Sequence, residues 1–227
     1  YFEVALRNSV HRAMSLFYSR GQFTSCSWYD FIWTKLRLST RQRIIEVRQR
    51  RGRESLSPDE VVANVSLGFW PVVLRNIESA HAPSIFSAIF PHHPLSATPA
   101  DWRDAEVRRH AIRFVFELHA FRNRLAHHEP LWKFSPVKNT TAHPPIYVEH
   151  GSKSQSDSIN RLRQLLTQLE EATGYIDRTL EADLRSASWR RKLDFLLTER
   201  GIQRYRALRH NPRSVALTPS EFRHRLR

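Results

Sequence analysis

Between Phe121 and Pro130 the chain sets out Arg122, Asn123, His127, His128 and Glu129. Those residue types suit one chemistry in particular, the cleavage of RNA by attack of its own 2′-hydroxyl. A proton must leave that hydroxyl and another must reach the departing oxygen. Imidazole is the side chain that titrates near neutral pH and can move both. Negative charge builds on the phosphate in the transition state, and a fixed guanidinium stabilises it. General acid–base help of this kind is worth roughly 10²–10⁴-fold and calls for no metal.

A helix must position these residues. Ala111, Phe114, Val115, Leu118, Phe121, Leu125 and Ala126 recur at three- and four-residue spacing, so residues 102–125 are expected to be helical with one apolar stripe. Arg122 falls inside that stripe, where a leucine would be expected. A guanidinium on a core face is costly unless it is paired or faces a wet site. On a straight helix Arg122 and His127 would stand about 140° apart and would not meet. Pro130 changes this, because its ring clashes with the Ala126 carbonyl and drives Glu129 out of the helical region. The helix is therefore expected to end near His127, leaving both histidines on a freed turn beside Arg122. His119, Asn123 and His127 share a second face at four-residue spacing. His128 and Glu129 are candidates for supporting roles, one as a second proton-handling group and the other to orient a histidine. A bland reading competes: Arg122 is satisfied by Glu117 or Glu129, and the histidines merely cap carbonyls.

Arg122, Asn123 and His127 form an Arg-Asn-x-x-x-His string that resembles the signature of the HEPN ribonucleases. The longer run from Arg122 to Trp132 resembles the Abi-like (abortive infection) branch of that superfamily, as do the stretches from Phe2 to His11 and Leu67-Gly68-Phe69-Trp70. The resemblance covers residues 1–185, roughly. It implies an all-α fold, a HEPN-type helical bundle. It also implies a homodimer in which two copies of the motif face each other and build one composite endoribonuclease site. Arg122 and His127 carry over onto the two catalytic positions and Asn123 onto the polar position after the arginine. No cofactor and no metal are implied. The expected function is a metal-independent endoribonuclease of a phage-defence or toxin system. The alternative is an RNA-binding Abi-like protein that holds a structured non-coding RNA, with cleavage gated or absent. A free ribonuclease endangers its own cell, so an inhibitory partner is also expected.

Composition agrees with a polyanionic partner. The 227 residues carry a formal net charge of +14 and a pI near 10.9. Such a field favours nucleic acid or an anionic membrane surface. No apolar run is long enough for a spanning helix, so no membrane partner is expected. The start shows no secretory signal pattern, and the lone Cys26 allows no internal disulfide; both point to the cytoplasm. The first residue is Tyr1, inside a helical pattern, so a preceding native piece is expected. Two domains are expected, a HEPN/Abi-like helical domain over 1–188 and a C-terminal helix with an Arg-rich tail over 189–227, a basic and partly irregular extension.

Further elements follow from the pattern. Residues 1–20 read as a helix with Phe2, Leu6, Val10, Ala13 and Phe17 inward. Arg7 and His11 lie on its other side, either solvated or supporting the site. Residues 25–38 read as a short aromatic core helix. In residues 40–53, Arg41, Arg43, Arg48, Arg50, Arg51 and Arg53 form a basic patch suited to phosphates, or a solvated face. Ser57, Pro58 and Glu60 read as a capped helix start, running to a break at Pro71. Residues 79–100 read as loop, with Thr98 or Asp101 capping the motif helix. His92 and His93 could ligate a metal, but zinc wants about four ligands and Cys26 is the only thiol, so none is assigned. After an irregular connection over 133–156, Ser156 or Ser158 is expected to open a long helix reaching residues 184–188. A last helix is expected over 189–200. Beyond Gly201, Arg204, Arg206 and Arg209 belong to a loose tail suited to RNA.

Overall fold

The computed structural model describes residues 1–50, 56–129, 137–139, 146–149 and 151–210. Arg51, Arg53 and the side chains of Arg50 and Arg209 lie outside the described residues, as do Pro130 and Trp132. The class is all-α, with one small strand pair. In chain order come α1 (Phe2–Tyr18), α2 (Trp28–Phe31), a 3₁₀ turn (Trp33–Lys35), α3 (Leu38–Arg50), α4 (Pro58–Asn64), α5 (Phe69–Arg75) and α6 (Ala82–Ile89). A second 3₁₀ turn (Pro99–Arg103) leads into α7 (Ala105–Ala126), then β1 (Val137–Asn139), β2 (Ile146–Glu149), α8 (Gln155–Ile176), α9 (Arg178–Ser186), α10 (Ser188–Leu196) and α11 (Glu199–His210). The chain divides into two compact units, Tyr1–Glu129 with Gln168–Asp183 and Pro130–Thr167 with Leu184–Arg227. The sequence placed a single boundary at 188/189; this division also separates residues 130–167 from the first unit.

The first unit holds the main core. Helix α1 buries Phe2, Leu6, Val10, Ala13 and Met14, and Trp28, Trp70 and Trp102 are fully enclosed. A buried aromatic removes about 150–250 Å² from water, worth about 4–6 kcal/mol at roughly 25 cal/mol/Å². Helix α6 falls in the stretch expected to be loop. Ala82, Ile85, Phe86 and Ile89 do recur at three- and four-residue spacing, but over eight residues only, and Pro83 sits in the first turn, where no helical N–H is lost. Phe86 of α6 stacks on Trp102, ring centroids 5.1 Å apart.

The helix start at Ser57 is as expected: Ser57 Oγ accepts from Glu60 N at 3.2 Å, and Ser57 N donates to Glu60 Oε2 at 2.9 Å. The helix ends earlier than expected, at Asn64. Pro71 lies in the first turn of α5, the one place in a helix that tolerates it, so the break moves upstream of it. Helix α7 begins later than expected. Thr98 and Asp101 box the 3₁₀ turn, while Asp104 caps α7 by accepting from Glu106 N at 2.7 Å. The single helix expected from Ser156 or Ser158 to residues 184–188 is two. Asp177 closes the first and opens the second, its Oδ1 accepting from Thr179 N at 2.8 Å and Leu180 N at 3.1 Å.

The second unit has its own small core of Ile159, Leu166 and Leu197, with Leu162, Leu193 and Ile202 against them. The connection expected to be irregular contains β1 and β2, paired antiparallel with Lys138 opposite Tyr147. Ser154, not Ser156 or Ser158, caps α8 by accepting from Asp157 N at 3.0 Å. The expected last helix over 189–200 is interrupted. Thr198 Oγ1 accepts from Gly201 N at 2.9 Å and starts α11, which carries the chain as helix to His210.

Candidate functional site

Helix α7 buries Ala111, Phe114, Val115 and Leu118, but its stripe then runs out of the core. Phe121 is half-buried and Leu125 is 47% exposed. Arg122 therefore faces outward at the end of an apolar stripe, not inward as the pattern alone implies. The helix ends with His127 as its C-cap. His128 N donates to Leu125 O at 3.2 Å and Glu129 N to Arg124 O at 2.9 Å, the paired bonds of a Schellman turn. Its left-handed position is filled by His128, at φ 55°, where glycine is usual. A non-glycine residue there costs roughly 1–2 kcal/mol. Both histidines are exposed on this turn. Glu129 pairs with Arg124, Nε to Oε2 at 3.6 Å, and Glu117 stands 3.6 Å from Arg113 Nε. Neither is the acid beside Arg122.

That acid is Glu3, on α1. Glu3 Oε2 lies 3.9 Å from Arg122 Nε, and Glu3 Oε1 lies 3.4 Å from Arg7 Nη2. Arg7 is anchored separately, donating from Nη1 to Ala63 O at 3.1 Å. One turn above Arg122, Asn123 Nδ2 lies 3.1 Å from His119 Nε2. Gly68 gives His119 its room: a Cβ there would stand 2.8 Å from His119 Nε2 and 3.5 Å from Arg43 Nη1. Burial lowers the His119 pKa, and the Arg122 and Arg43 guanidiniums lower it further against the opposing pull of Glu3. Burial first, and the neighbouring guanidiniums second, disfavour the charged ring. Three guanidiniums, one carboxylate, an amide and an imidazole converge here from α1, α3 and α7. Such a set can bind a phosphate and supply or accept a proton.

The structure sorts the other candidates. The Asn123 side chain contacts the His119 ring, and His127 reaches Asn123 only through its backbone, its N donating to Asn123 O at 2.9 Å. His11 is not on a solvated face; it is buried. Trp28 Nε1 donates to its Nδ1 at 2.8 Å, which makes Nε2 the protonated nitrogen, shared between Asp59 Oδ1 and Ser25 Oγ at 3.1 Å each. Burial lowers its pKa, with Asp59 pulling the other way. The basic patch is divided. Arg41 donates to Leu36 O at 2.8 Å and Thr34 O at 2.7 Å, and Arg48 lies over the Tyr29 ring and 3.4 Å from Asp30. Of its described arginines, Arg43 reaches the His119 cluster. Arg204 and Arg206 lie on α11, where Arg206 lines a largely apolar cavity of about 670 Å³ with Leu162, Leu197 and Tyr205. His93 is buried and bonded to His110 at 3.0 Å. Among the described residues no group of three or more His, Cys, Asp or Glu is arranged to hold a metal ion, and no helix is long and apolar enough to cross a membrane. The sequence missed Glu3 and Gly68. The four-residue spacing of Glu3 and Arg7 was the available signal for the first. No family model matches the chain, and no similar curated protein or solved structure was found.

Proposed function

We propose that the protein is a metal-independent endoribonuclease of the HEPN, Abi-like kind, acting in phage defence or as a toxin. The observation that carries this reading is the end of α7, where Arg122 shares Glu3 with Arg7 and His119 is bonded to Asn123 in the field of Arg122 and Arg43, with His127 and His128 exposed on the turn that closes the helix. In the proposed reaction Arg122 holds the scissile phosphate and stabilises its growing charge. His127 takes the proton of the 2′-hydroxyl or returns one to the 5′-oxygen that leaves. Asn123 orients one of them, and its Nδ2 donates to His119 Nε2. The products are a 2′,3′-cyclic phosphate and a 5′-hydroxyl. The proposed working form is a homodimer. A second copy of α7 would cover Phe121 and Leu125 and bring two copies of the motif together. RNA is the proposed substrate and the cytoplasm the proposed location.

Cleavage of a mixed RNA in EDTA tests the reading. The wild type cuts; Arg122→Ala and His127→Ala each lose roughly 10²–10⁴-fold in rate. Complete loss of wild-type cleavage in EDTA sinks the metal-free mechanism. Tight RNA binding with no cutting by any form favours a protein that holds RNA.

A further inference from the structure

We infer that Glu3 is a built-in competitor for the phosphodiester: its carboxylate occupies the place between Arg7 and Arg122 that an RNA phosphate takes on binding. This rests on the ribonuclease reading for the identity of the ligand. The geometry is that of two guanidiniums sharing one carboxylate, Arg7 at 3.4 Å and Arg122 at 3.9 Å. Neither contact is a short, two-pronged pair, so the carboxylate holds both loosely. Arg7 does not depend on Glu3 for its place, since Ala63 O anchors it. Its Nε is buried and has no acceptor. A buried donor left unpaired is costly, and a non-bridging oxygen of a phosphodiester can supply that acceptor. Arg122 is half exposed and Arg43 exposed, so both can turn to an incoming ligand. Within this group three cations face one anion. Removing Glu3 leaves a cradle that strongly favours phosphate.

The probe is a short 2′-O-methyl oligoribonucleotide, which has no 2′-hydroxyl to attack and cannot be cut by this route. Its binding is followed by fluorescence anisotropy over a salt series. Glu3→Gln is expected to bind it about 3–10-fold more tightly. The plot of log K against log salt is expected to steepen by about 0.7, one added phosphate contact on a single strand. Glu3→Asp keeps the charge but draws the carboxylate back by a methylene, and gives part of the gain. Glu106→Gln removes the same charge from an exposed ion pair with Arg109, about 24 Å up α7 by helical rise, and leaves the slope unchanged. Circular dichroism confirms that each variant is folded. Equal slopes for Glu3→Gln and Glu106→Gln overturn the inference. So does weaker binding by Glu3→Gln, which makes Glu3 a residue that positions the arginines. Cleavage of ordinary RNA by the same preparations reads the ribonuclease proposal separately.

Discussion

The two ends of α7 each carry a histidine bonded to a neighbour, and they put it to opposite uses. Near the start, Leu95 N donates to His93 Nδ1 at 3.3 Å, so His93 Nε2 bears the proton and donates to His110 Nδ1 at 3.0 Å. Trp102, Tyr175 and Phe114 wall this pair in, with ring centroids 4.9–5.0 Å from one imidazole or the other. Near the finish, His119 is bonded to Asn123 but surrounded by guanidiniums, with solvent close by. Burial is the first cause of a lowered pKa in all three rings. The second cause differs. For His93 it is the other imidazole, for His110 it is Arg113, and for His119 it is Arg122 and Arg43. An aromatic box turns a histidine into core. A cationic rim turns one into a candidate reagent.

The largest effect that sharpens this contrast is at Trp102, buried at 0% exposure between Phe86 and His93. Trp102→Ala is expected to cost about 3–5 kcal/mol, read by urea unfolding. Oligonucleotide binding by the folded fraction stays as in the wild type. A loss below about 1 kcal/mol breaks the view that this end is a packed core.

Acid gives the next largest effect. His93 is 3% exposed, and burial with the His110 charge pushes its pKa from 6.5 down to about 4. Between those values the unfolded chain binds the proton that the folded ring refuses. Stability is therefore whole above pH 6.5 and falls as the pH drops from 6.5 toward about 4. The loss is on the order of 3 kcal/mol. His93→Phe, which fits the aromatic box, flattens that slope, measured as Tm against pH. An unchanged slope shifts the acid sensitivity to His11 or His110, whose pKa values are also lowered.

How far the sequence could be read follows from these residues. The α7 stripe and its end near His127 were legible because apolar period and Pro130 both speak locally. Ser57 and Glu60 were legible as a cap for the same reason. Helix α6 was hidden, since its apolar period of Ala82, Ile85, Phe86 and Ile89 spans only eight residues beside Pro83 and Pro91. His11 was misplaced because helical spacing gives a face but not what covers it; Trp28, Asp59 and Ser25 arrive from other segments. Arg122 looked core-facing for the converse reason, as the stripe outlasts the core that α7 packs on. Glu3 is about 120 positions from Arg122, and only the fold brings α1 to the end of α7.

The smallest effect tests where strain is kept. His128 is in the left-handed region at φ 55° and completes a turn that glycine fills at no steric cost. His128→Gly is expected to gain about 0.5–1 kcal/mol of stability, a rise in Tm of roughly 1–4 °C for a chain of this size. The same change removes an exposed imidazole from beside His127, so RNA cleavage is expected to fall while the protein becomes more stable. No substitution in the aromatic box should show that inverse pairing, because there the ring's packing is its only contribution. A stability loss in His128→Gly would mean the His128 ring itself holds the turn. The left-handed residue would then be ordinary capping, and the contrast between the two ends of α7 would rest on charge alone.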